Sequence, residues 1–258
     1  MYTTCSTRVQ APNFNHVGSR HPDDLAILNP DKGGMGNDDM STLEHLGDIE
    51  NQKIHKKKKS MGIVSCRRDT SVGTLNVRTI RESFKRLELA ALFVKSQISV
   101  LGVQEHRIVH DEEEIKTEKH QKGVHLVTSS AWRNRCQAAT GGVGFMLSSE
   151  AYKAVSLIKS YSKRILLVSF DGNPRLTVIT VYSPTEAATV DEAEDFHDVL
   201  RSAVKDVPAH HLLLVCGDLN AHLCQLNEED SGWYWHQVSN RNGGLLRDTM
   251  LDGNLEAT

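Results

Sequence analysis

The sequence predicts an α/β protein built from two mostly antiparallel sheets with helices on their outer faces. Short apolar runs typical of strands recur along the chain from residue 71 onward. Two longer stretches place apolar residues at helical spacing, and the first stands between two strands in a β-α-β order that packs a helix on a sheet. Residues 171–174 (Asp-Gly-Asn-Pro) separate the apolar run at 165–170 from the run at 176–182, which indicates a hairpin turn.

The elements follow from these patterns in chain order. Strands are predicted at residues 71–77, 98–104, 125–129, 142–147, 165–170, 176–182 and 211–216, the last being apolar enough to be fully buried. The helix at 81–97 presents Phe84, Leu87, Ala91 and Val94 as its apolar stripe. The helix at 191–207 presents Ala193, Phe196, Leu200, Ala203 and Val207, and a final helix is expected at 242–251. The charged stretch 111–122 is expected to be a surface loop or a short helix.

Composition excludes several classes of function. A net charge of −3 over 258 residues gives no overall basic field, so any nucleic-acid binding depends on a local patch. Five scattered cysteines without a Cys-x-x-Cys pair favour an intracellular protein without a zinc site or a disulfide framework. No apolar run is long enough for a membrane span or a signal peptide, and no motif for a small-molecule cofactor is present.

The chain divides into a tail and a domain. Residues 1–69 are rich in Asn, Asp, Gly, Pro, Ser and His without sustained periodicity, and we expect them to be disordered or weakly structured. A short helix at 41–51 is one exception that the sequence allows. The run Lys56–Lys59 is either a nuclear-import or phosphate-binding patch or a solvated linker. Residues 70–258 form the predicted domain.

Polar side chains follow four of the predicted strands. Asn76, Glu105 and Tyr182 each come at or just after a strand end, and Asp218 and Asn220 follow the strand at 211–216. Ligands bind beyond the carboxyl ends of strands in α/β sheets, so these groups are candidates for one common cleft. Each residue alone has an ordinary structural explanation as a turn former or a half-buried strand residue. Their combination is what indicates a site.

A sparse set of oxygen-bearing side chains suits Mg²⁺, which takes one or two carboxylates and keeps waters or phosphate oxygens. Glu105 fits the direct ligand with Asn76 beside it, and Asp218 fits the group that orients or deprotonates a water. Asn220 would support that carboxylate, and Tyr182 would hydrogen-bond a phosphate. Together they describe phosphodiester hydrolysis. His106, His110 and residues 112–114 lack a defined ligand spacing and are predicted to form a solvated face, and the glycines of 141–144 a flexible entry into a strand.

Five segments in order resemble the endonuclease/exonuclease/phosphatase superfamily, and most of all the endonuclease domains of non-LTR retrotransposons and the craniofacial-development-protein-2-like proteins. They are Gly73-Thr-Leu-Asn-Val-Arg-Thr79, Ile98-Ser-Val-Leu-Gly-Val-Gln-Glu-His-Arg107, Gly141-Gly-Val-Gly-Phe-Met-Leu-Ser148, Val181-Tyr-Ser-Pro-Thr185 and Gly217-Asp-Leu-Asn-Ala221. The stretch Asn240-Arg-Asn-Gly-Gly-Leu-Leu246 is similar to a further family segment.

The resemblance implies a four-layer α/β sandwich, a bound Mg²⁺ or Mn²⁺, and nicking of DNA held by its phosphate backbone. It implies Asn76 and Glu105 at the metal, Tyr182, Asp218 and Asn220 in catalysis, and Arg78 and Thr185 in substrate binding. Family members continue into a late Ser-Asp element and a terminal Asp-His pair, whereas this sequence ends at Thr258. We therefore expect a sandwich incomplete at its C-terminus and weakened activity.

Two alternatives remain open at the level of sequence. One is a catalytically inactive remnant that acts at most as a binding module. The other, within the same superfamily, is a phosphatase acting on lipid or inositol phosphates. The sequence determines neither the DNA target nor the oligomeric state.

Overall fold

A computed structural model describes residues 5–9 (backbone only), 62–64, 70–224 and 238–256. All of them belong to one compact unit, which comprises Met1–Pro12 and Lys59–Thr258. The possible helix at 41–51 and the lysine run at 56–59 lie outside the described residues, so both stay predictions. Within the described part, no helix is long and apolar enough to cross a membrane.

The first sheet has six strands in the order β1-β2-β3-β8-β5-β4. Its strands are β1 (Cys5–Val9), β2 (Thr70–Asn76), β3 (Val100–Gln104), β4 (Ile115–Lys119), β5 (His125–Ser129) and β8 (Val143–Leu147). Strands β2 and β3 are parallel and are joined by helix α1 (Ser83–Ser96), while the other neighbours are antiparallel. The predicted β-α-β unit is therefore present, and it brings the carboxyl ends of β2 and β3 together.

The second sheet has four strands in the order β12-β11-β10-β9. They are β9 (Val155–Ser162), β10 (Ile165–Phe170), β11 (Arg175–Tyr182) and β12 (His211–Asp218). Strands β10 and β11 form the predicted hairpin, with Ile165 paired to Val181 and Phe170 to Leu176. Helix α3 (Val190–Lys205) connects β11 to β12, which are parallel. The carboxyl ends of these two strands therefore lie side by side, as those of β2 and β3 do.

The elements form four layers, helix, sheet, sheet and helix, as the sequence predicts. Buried Leu89, Ala90 and Phe93 pack α1 against the outer face of the first sheet, and Phe196 and Leu200 pack α3 against that of the second. A third core lies between the sheets and includes Val72, Val100, Val127, Val143, Phe145, Leu147, Leu166, Val168, Phe170, Leu176 and Val178. The apolar residues of both faces of each central strand are thereby removed from water.

The predicted stripe of α3 is confirmed for Ala193, Phe196, Leu200 and Ala203, which are all buried. The predicted stripe of α1 is wrong for Phe84 and Leu87, which are 57% and 50% exposed, and for the exposed Ala91. It is correct for Val94, which packs against the core beside the buried Leu89, Ala90 and Phe93. Apolar residues occur around most of α1, so spacing alone selects no single face.

Strand β12 differs from its prediction. All eight of its residues are only partly buried, so the expected fully buried strand is wrong. Within the described part of the chain β12 pairs with β11 alone and forms the margin of its sheet. Its apolar composition reflects packing on both faces, since Leu212 and Leu214 pack against the core between the sheets and Leu213 and Val215 against the core that includes α3.

Several further elements were not predicted. The middle of the charged stretch 111–122 is the strand β4, paired with β5, where a loop or short helix is expected. The expectation is correct for the loop at 111–114 and for a short 3-10 helix at Gln121–Gly123. β4 is the edge strand of the first sheet, and charged side chains are typical of an edge strand that is exposed to water. The other unpredicted elements are β1, β9, the short helix α2 (Ser149–Lys153), and a two-stranded hairpin of β6 (Trp132–Arg133) and β7 (Ala139–Thr140). Helix α4 spans Arg241–Gly253, close to its predicted position.

Candidate active site

The two parallel strand pairs end at the same place. Asn76 is the register partner of Gln104 at the end of β2 and β3, and Tyr182 is that of Asp218 at the end of β11 and β12. The buried Gln104 joins the sheets, because its Nε2 donates to Thr180 Oγ1 at 2.8 Å. The polar side chains that the sequence singles out therefore extend into one region.

Asn76 is the centre of this region. Its Nδ2 donates to Glu105 Oε1 and to Asp218 Oδ2, both at 2.8 Å. The two carboxylate oxygens can therefore be no farther apart than the sum of these two hydrogen bonds. Glu105 and Asp218 share one amide group and lie on the same side of the molecule, close enough to contact the same phosphate.

Glu105 is held in a fixed, ionised state. Burial alone would raise its pKa, but hydrogen bonds from Asn76, Arg107 and Tyr182 together with the charge of Arg107 outweigh burial and lower the pKa below its usual value. Arg107 contributes an ion pair, with Nη2 at 3.0 Å from Glu105 Oε2. Sequence analysis missed Arg107, whose only signal is its place two residues after Glu105.

Tyr182 is a hydrogen-bond donor at this site. Burial, the negative charge of Glu105 and the hydrogen bond to Glu105 raise the pKa of the Tyr182 phenol to about 12. The phenol therefore keeps its proton at any pH at which the protein would work. Above its ring lies the Arg164 guanidinium, with Cζ 5.7 Å from the Tyr182 centroid and 4.3 Å from the Trp132 centroid.

Asp218 and Asn220 lie in one turn and are hydrogen-bonded to each other. Asn220 has φ of 46°, and its backbone N–H donates to Asp218 Oδ1 at 3.2 Å. Its side-chain Nδ2 donates to the Ser183 carbonyl at 2.9 Å, so this amide group is bound to the protein's own backbone. This geometry makes Asn220 a residue that orients the carboxylate of Asp218.

The start of α4 closes this side of the site, a role that sequence analysis did not foresee. Asn242 is fully buried, and its Nδ2 donates to the carbonyls of Pro184 and Asn220 at 2.7 and 3.2 Å. Asn240 caps α4 and donates from Nδ2 to the same Asn220 carbonyl at 3.1 Å. The only sequence signal for both was the Asn-x-Asn-Gly stretch.

The two residues proposed to bind substrate differ in placement. Arg78 is exposed, has φ of 55° and lines the open cleft next to Asn76. Thr185 does not line that cleft, and its backbone carbonyl accepts from Arg241 Nη2 at 3.3 Å. Its neighbour Glu186 lines the cleft instead.

The cleft has a volume of about 770 Å³ and also exposes His222 on its wall. Asn76, Asp218 and Asn220 line the cleft, whereas Glu105 and Tyr182 do not. Four non-glycine residues of the site region adopt the left-handed conformation, namely Arg78, Glu105, Arg107 and Asn220. Such residues cost of order 1–3 kcal/mol each and concentrate where function requires an unusual backbone.

His106 does not belong to a solvated face. Its side chain is fully buried, accepts from the Ile108 N–H at Nδ1 (2.9 Å) and lies 3.3 Å from the Val143 carbonyl at Nε2. Burial lowers its pKa to about 4, so the imidazole is neutral and fixes the loop that carries Glu105. The prediction is correct for the exposed residues 112–114.

Comparisons with known proteins give no family assignment. No protein-family model matches the chain, and no curated protein matches it. Among solved structures it is similar to the Xenopus laevis APE2 catalytic domain, with a TM-score of 0.44 and 13% identity over 69% of this chain. It is also similar to a humanized D. rerio TDP2 carrying 14 mutations, with a TM-score of 0.38 and 15% identity over 58% of this chain. The chain spans 66% of each of those two chains.

Proposed function

We propose that this protein is a divalent-metal-dependent phosphodiesterase that nicks DNA, of the endonuclease/exonuclease/phosphatase superfamily and of the retrotransposon type. The observation that carries the proposal is the shared hydrogen bonding of Asn76 to Glu105 and Asp218, which gathers two carboxylates at the rim where both sheets end. The sequence motifs that carry the family resemblance contribute these same residues.

The donor set fits Mg²⁺ or Mn²⁺. Carboxylate and carboxamide oxygens are the ligands that such hard cations prefer. Among the described residues, no group of three or more His, Cys, Asp or Glu is gathered, so a cation here would keep water or phosphate oxygens in its shell. Glu105 is the direct ligand in this proposal. Asn76 now turns Nδ2 toward both carboxylates, so it would offer Oδ1 only after its amide rotates.

The metal, when bound, would neutralise the charge that develops on the phosphate oxygens during hydrolysis. The side chains of the chain itself would activate the attacking water and hold the phosphate, and the departing sugar oxygen would take a proton from solvent water. Asp218 accepts a hydrogen bond from the attacking water and takes its proton. The Asn220 N–H keeps the Asp218 carboxylate oriented. The phenol of Tyr182, protonated at working pH, has one O–H, which would turn from Glu105 to a phosphate oxygen once a cation binds Glu105. Arg78 contacts the DNA backbone from the exposed side of the cleft.

A plasmid-nicking assay on the full chain tests this proposal. Nicking should require Mg²⁺ or Mn²⁺, stop on addition of EDTA and return with excess metal. Glu105→Gln and Asp218→Asn should each lower the rate about 10²- to 10³-fold, the range for loss of one preorganised group. Matched controls are Glu150→Gln on α2 and Asp195→Asn on the exposed face of α3, which should leave nicking unchanged.

The alternative is a catalytically inactive remnant that binds nucleic acid. It would bind a DNA duplex yet leave the plasmid intact at every metal concentration. Nicking that survives both Glu105→Gln and Asp218→Asn would contradict the enzyme proposal, because the activity would then come from elsewhere. Release of phosphate from inositol phosphates instead of nicking would identify the phosphatase.

An intracellular location belongs to the same proposal, since the substrate is DNA. Nuclear import through the lysines at 56–59 is the route that the sequence offers. Imaging of the chain with and without Lys56–Lys59 replaced by glutamine would test it.

A further inference from the structure

The hairpin formed by β6 and β7 stands apart from both large sheets and is unused in the proposed reaction. We refer to residues Trp132–Thr140 as the hairpin arm. Its turn is organised by Asn134, whose side-chain Oδ1 accepts from the N–H groups of Cys136 and Ala138, each at 3.0 Å. The backbone adds the hydrogen bond from the Asn134 N–H to the Ala138 carbonyl at 2.9 Å. The exposed turn thus has a defined conformation.

The base of the hairpin arm is attached to the loop that carries Glu105. The Arg107 N–H donates to the Gly141 carbonyl, and the Ala131 N–H donates to the Ile108 carbonyl, both at 2.9 Å. Gly141 has φ of 66°, and a Cβ there would collide with the Trp132 ring. Backbone hydrogen bonds and this close packing fix where the arm leaves the loop.

A second attachment runs through aromatic packing. The Trp132 and Tyr182 ring centroids are 6.4 Å apart, and the Arg164 guanidinium lies over both rings. Tyr182 in turn contacts Glu105. The arm therefore extends from the edge of the candidate site and is packed against it.

The stretch of sequence that contains the arm has no acidic residue. No Asp or Glu occurs between Glu118 and Glu150, and the exposed residues Arg133 and Arg135 lie on the arm. Arg133 Nη1 donates to the Gln137 carbonyl at 3.1 Å, which orients its guanidinium along the turn. Although the whole chain carries a net charge of −3, the arm places two arginines next to the loop of Glu105.

We propose that the hairpin arm binds the phosphate backbone of duplex DNA next to the bond that is cleaved, with Arg133 and Arg135 each contacting one phosphate. The proposal rests on the proposed function, since it names a substrate contact of the same site. A duplex offers regularly spaced phosphates, and guanidinium groups pair with them through fork-like hydrogen bonds. Contacts of this kind position the substrate without reading its sequence.

The test is a salt titration of DNA affinity. Binding of a fluorescent 20-base-pair duplex to the full-length chain is followed by anisotropy in EDTA, so that no cleavage occurs, at NaCl concentrations from 50 to 300 mM. The double variant Arg133→Gln with Arg135→Gln is compared with Lys153→Gln with Arg175→Gln. Both remove two exposed positive charges. The control residues lie on α2 and at the start of β11, at the ends of β8 and β11 opposite the site.

Loss of two phosphate contacts should make the negative slope of log affinity against log salt shallower by about 2, because each contact contributes roughly −0.9 for B-DNA. Affinity at the lowest salt should fall about 10- to 100-fold, while the control keeps the wild-type slope. Equal slopes for all three proteins would overturn the role of the arm while leaving the proposed function intact. Failure of the wild-type chain to bind duplex at any salt concentration would overturn both.

Discussion

The side-chain amide of Asn76 donates a 2.8 Å hydrogen bond to the carboxylate of Asp218, 142 residues later in the chain. Asn76 ends a strand of the first sheet and Asp218 ends a strand of the second. The same Nδ2 also donates to Glu105. One amide nitrogen therefore links both carboxylates of the candidate site across the two sheets, and its removal has consequences that can be measured.

Replacing Asn76 by Ala should lower DNA nicking about 10- to 1,000-fold, since two carboxylates would face each other without the donor that orients them. Asn76→Asp should be more damaging, because a third negative charge would repel the other two. Nicking rates over a range of Mg²⁺ concentrations measure the effect. A rate for Asn76→Asp equal to that of the wild type would show that this contact has no role in the reaction.

Gln104 should contribute more to stability than to chemistry. Gln104→Ala leaves the buried Thr180 hydroxyl without its donor and opens a cavity between the sheets, and we expect it to lower the free energy of unfolding by about 2–4 kcal/mol. Urea denaturation of Gln104→Ala, Thr180→Val and the double variant completes a thermodynamic cycle. A coupling free energy near zero would mean that the 2.8 Å contact does not stabilise the fold.

Gly217 and Gly244 provide a matched pair of glycines. Gly217 has φ of 142°, and a Cβ there would collide with the Val181 carbonyl, so Gly217→Ala should destabilise the protein by more than 1 kcal/mol. Gly244 lies within α4 with no atom within 4 Å of its ideal Cβ, so Gly244→Ala should stabilise by up to about 1 kcal/mol. Thermal unfolding measures both. Opposite signs are expected, and equal effects would contradict the packing at Gly217.

Stability should fall on acidification because of His197. Burial, followed by the nearby Arg201 charge, lowers the pKa of this imidazole to about 4, although Asp198 and Asp248 act in the opposite direction. Between pH 6.5 and 4 the unfolded chain binds a proton at this residue that the folded chain does not, so the free energy of unfolding decreases as the pH falls through that window.

His197→Asn should flatten this dependence, since it removes the titrating group but can still donate to Thr249 Oγ1, which lies 2.9 Å from His197 Nδ1. Urea denaturation at pH 7.5, 6.0 and 4.5 measures the difference. The slope that remains in the variant should come from the buried His106, whose pKa is also lowered to about 4, and from His120, His125 and His211, whose pKa values burial also lowers. Identical slopes for wild type and variant would show that His197 does not titrate in this way.

Sequence patterns predict the central strands of each sheet better than the edge strands. Central strands such as β10 and β11 are apolar on both faces and bounded by turn residues, so their positions follow directly from composition. Strand β4 has a single apolar residue, Ile115, and is ordered by pairing with β5, which no local pattern reveals. The apolar run of β12 likewise gave no sign that its position would leave it partly exposed.

For the site, the sequence indicated which side chains follow strand ends, but not what holds them. The shared amide of Asn76, the ion pair of Arg107 with Glu105 and the buried Asn242 all join segments that are distant in sequence or turn through unusual backbone angles. Such contacts depend on how the sheets pack and on the course of the loops. They appear only once both sheets are in place.

The two carboxylates come from different halves of the chain, Glu105 from the first parallel strand pair and Asp218 from the second. A polypeptide divided at the exposed Lys163, in the turn between β9 and β10, would leave each fragment with one carboxylate. The first fragment would carry the first sheet and β9, and the second would carry β10, β11 and β12. Neither fragment would hold a complete centre. Restored cleavage on mixing would then act as a reporter of reassociation, which makes this fold a natural scaffold for a split enzyme.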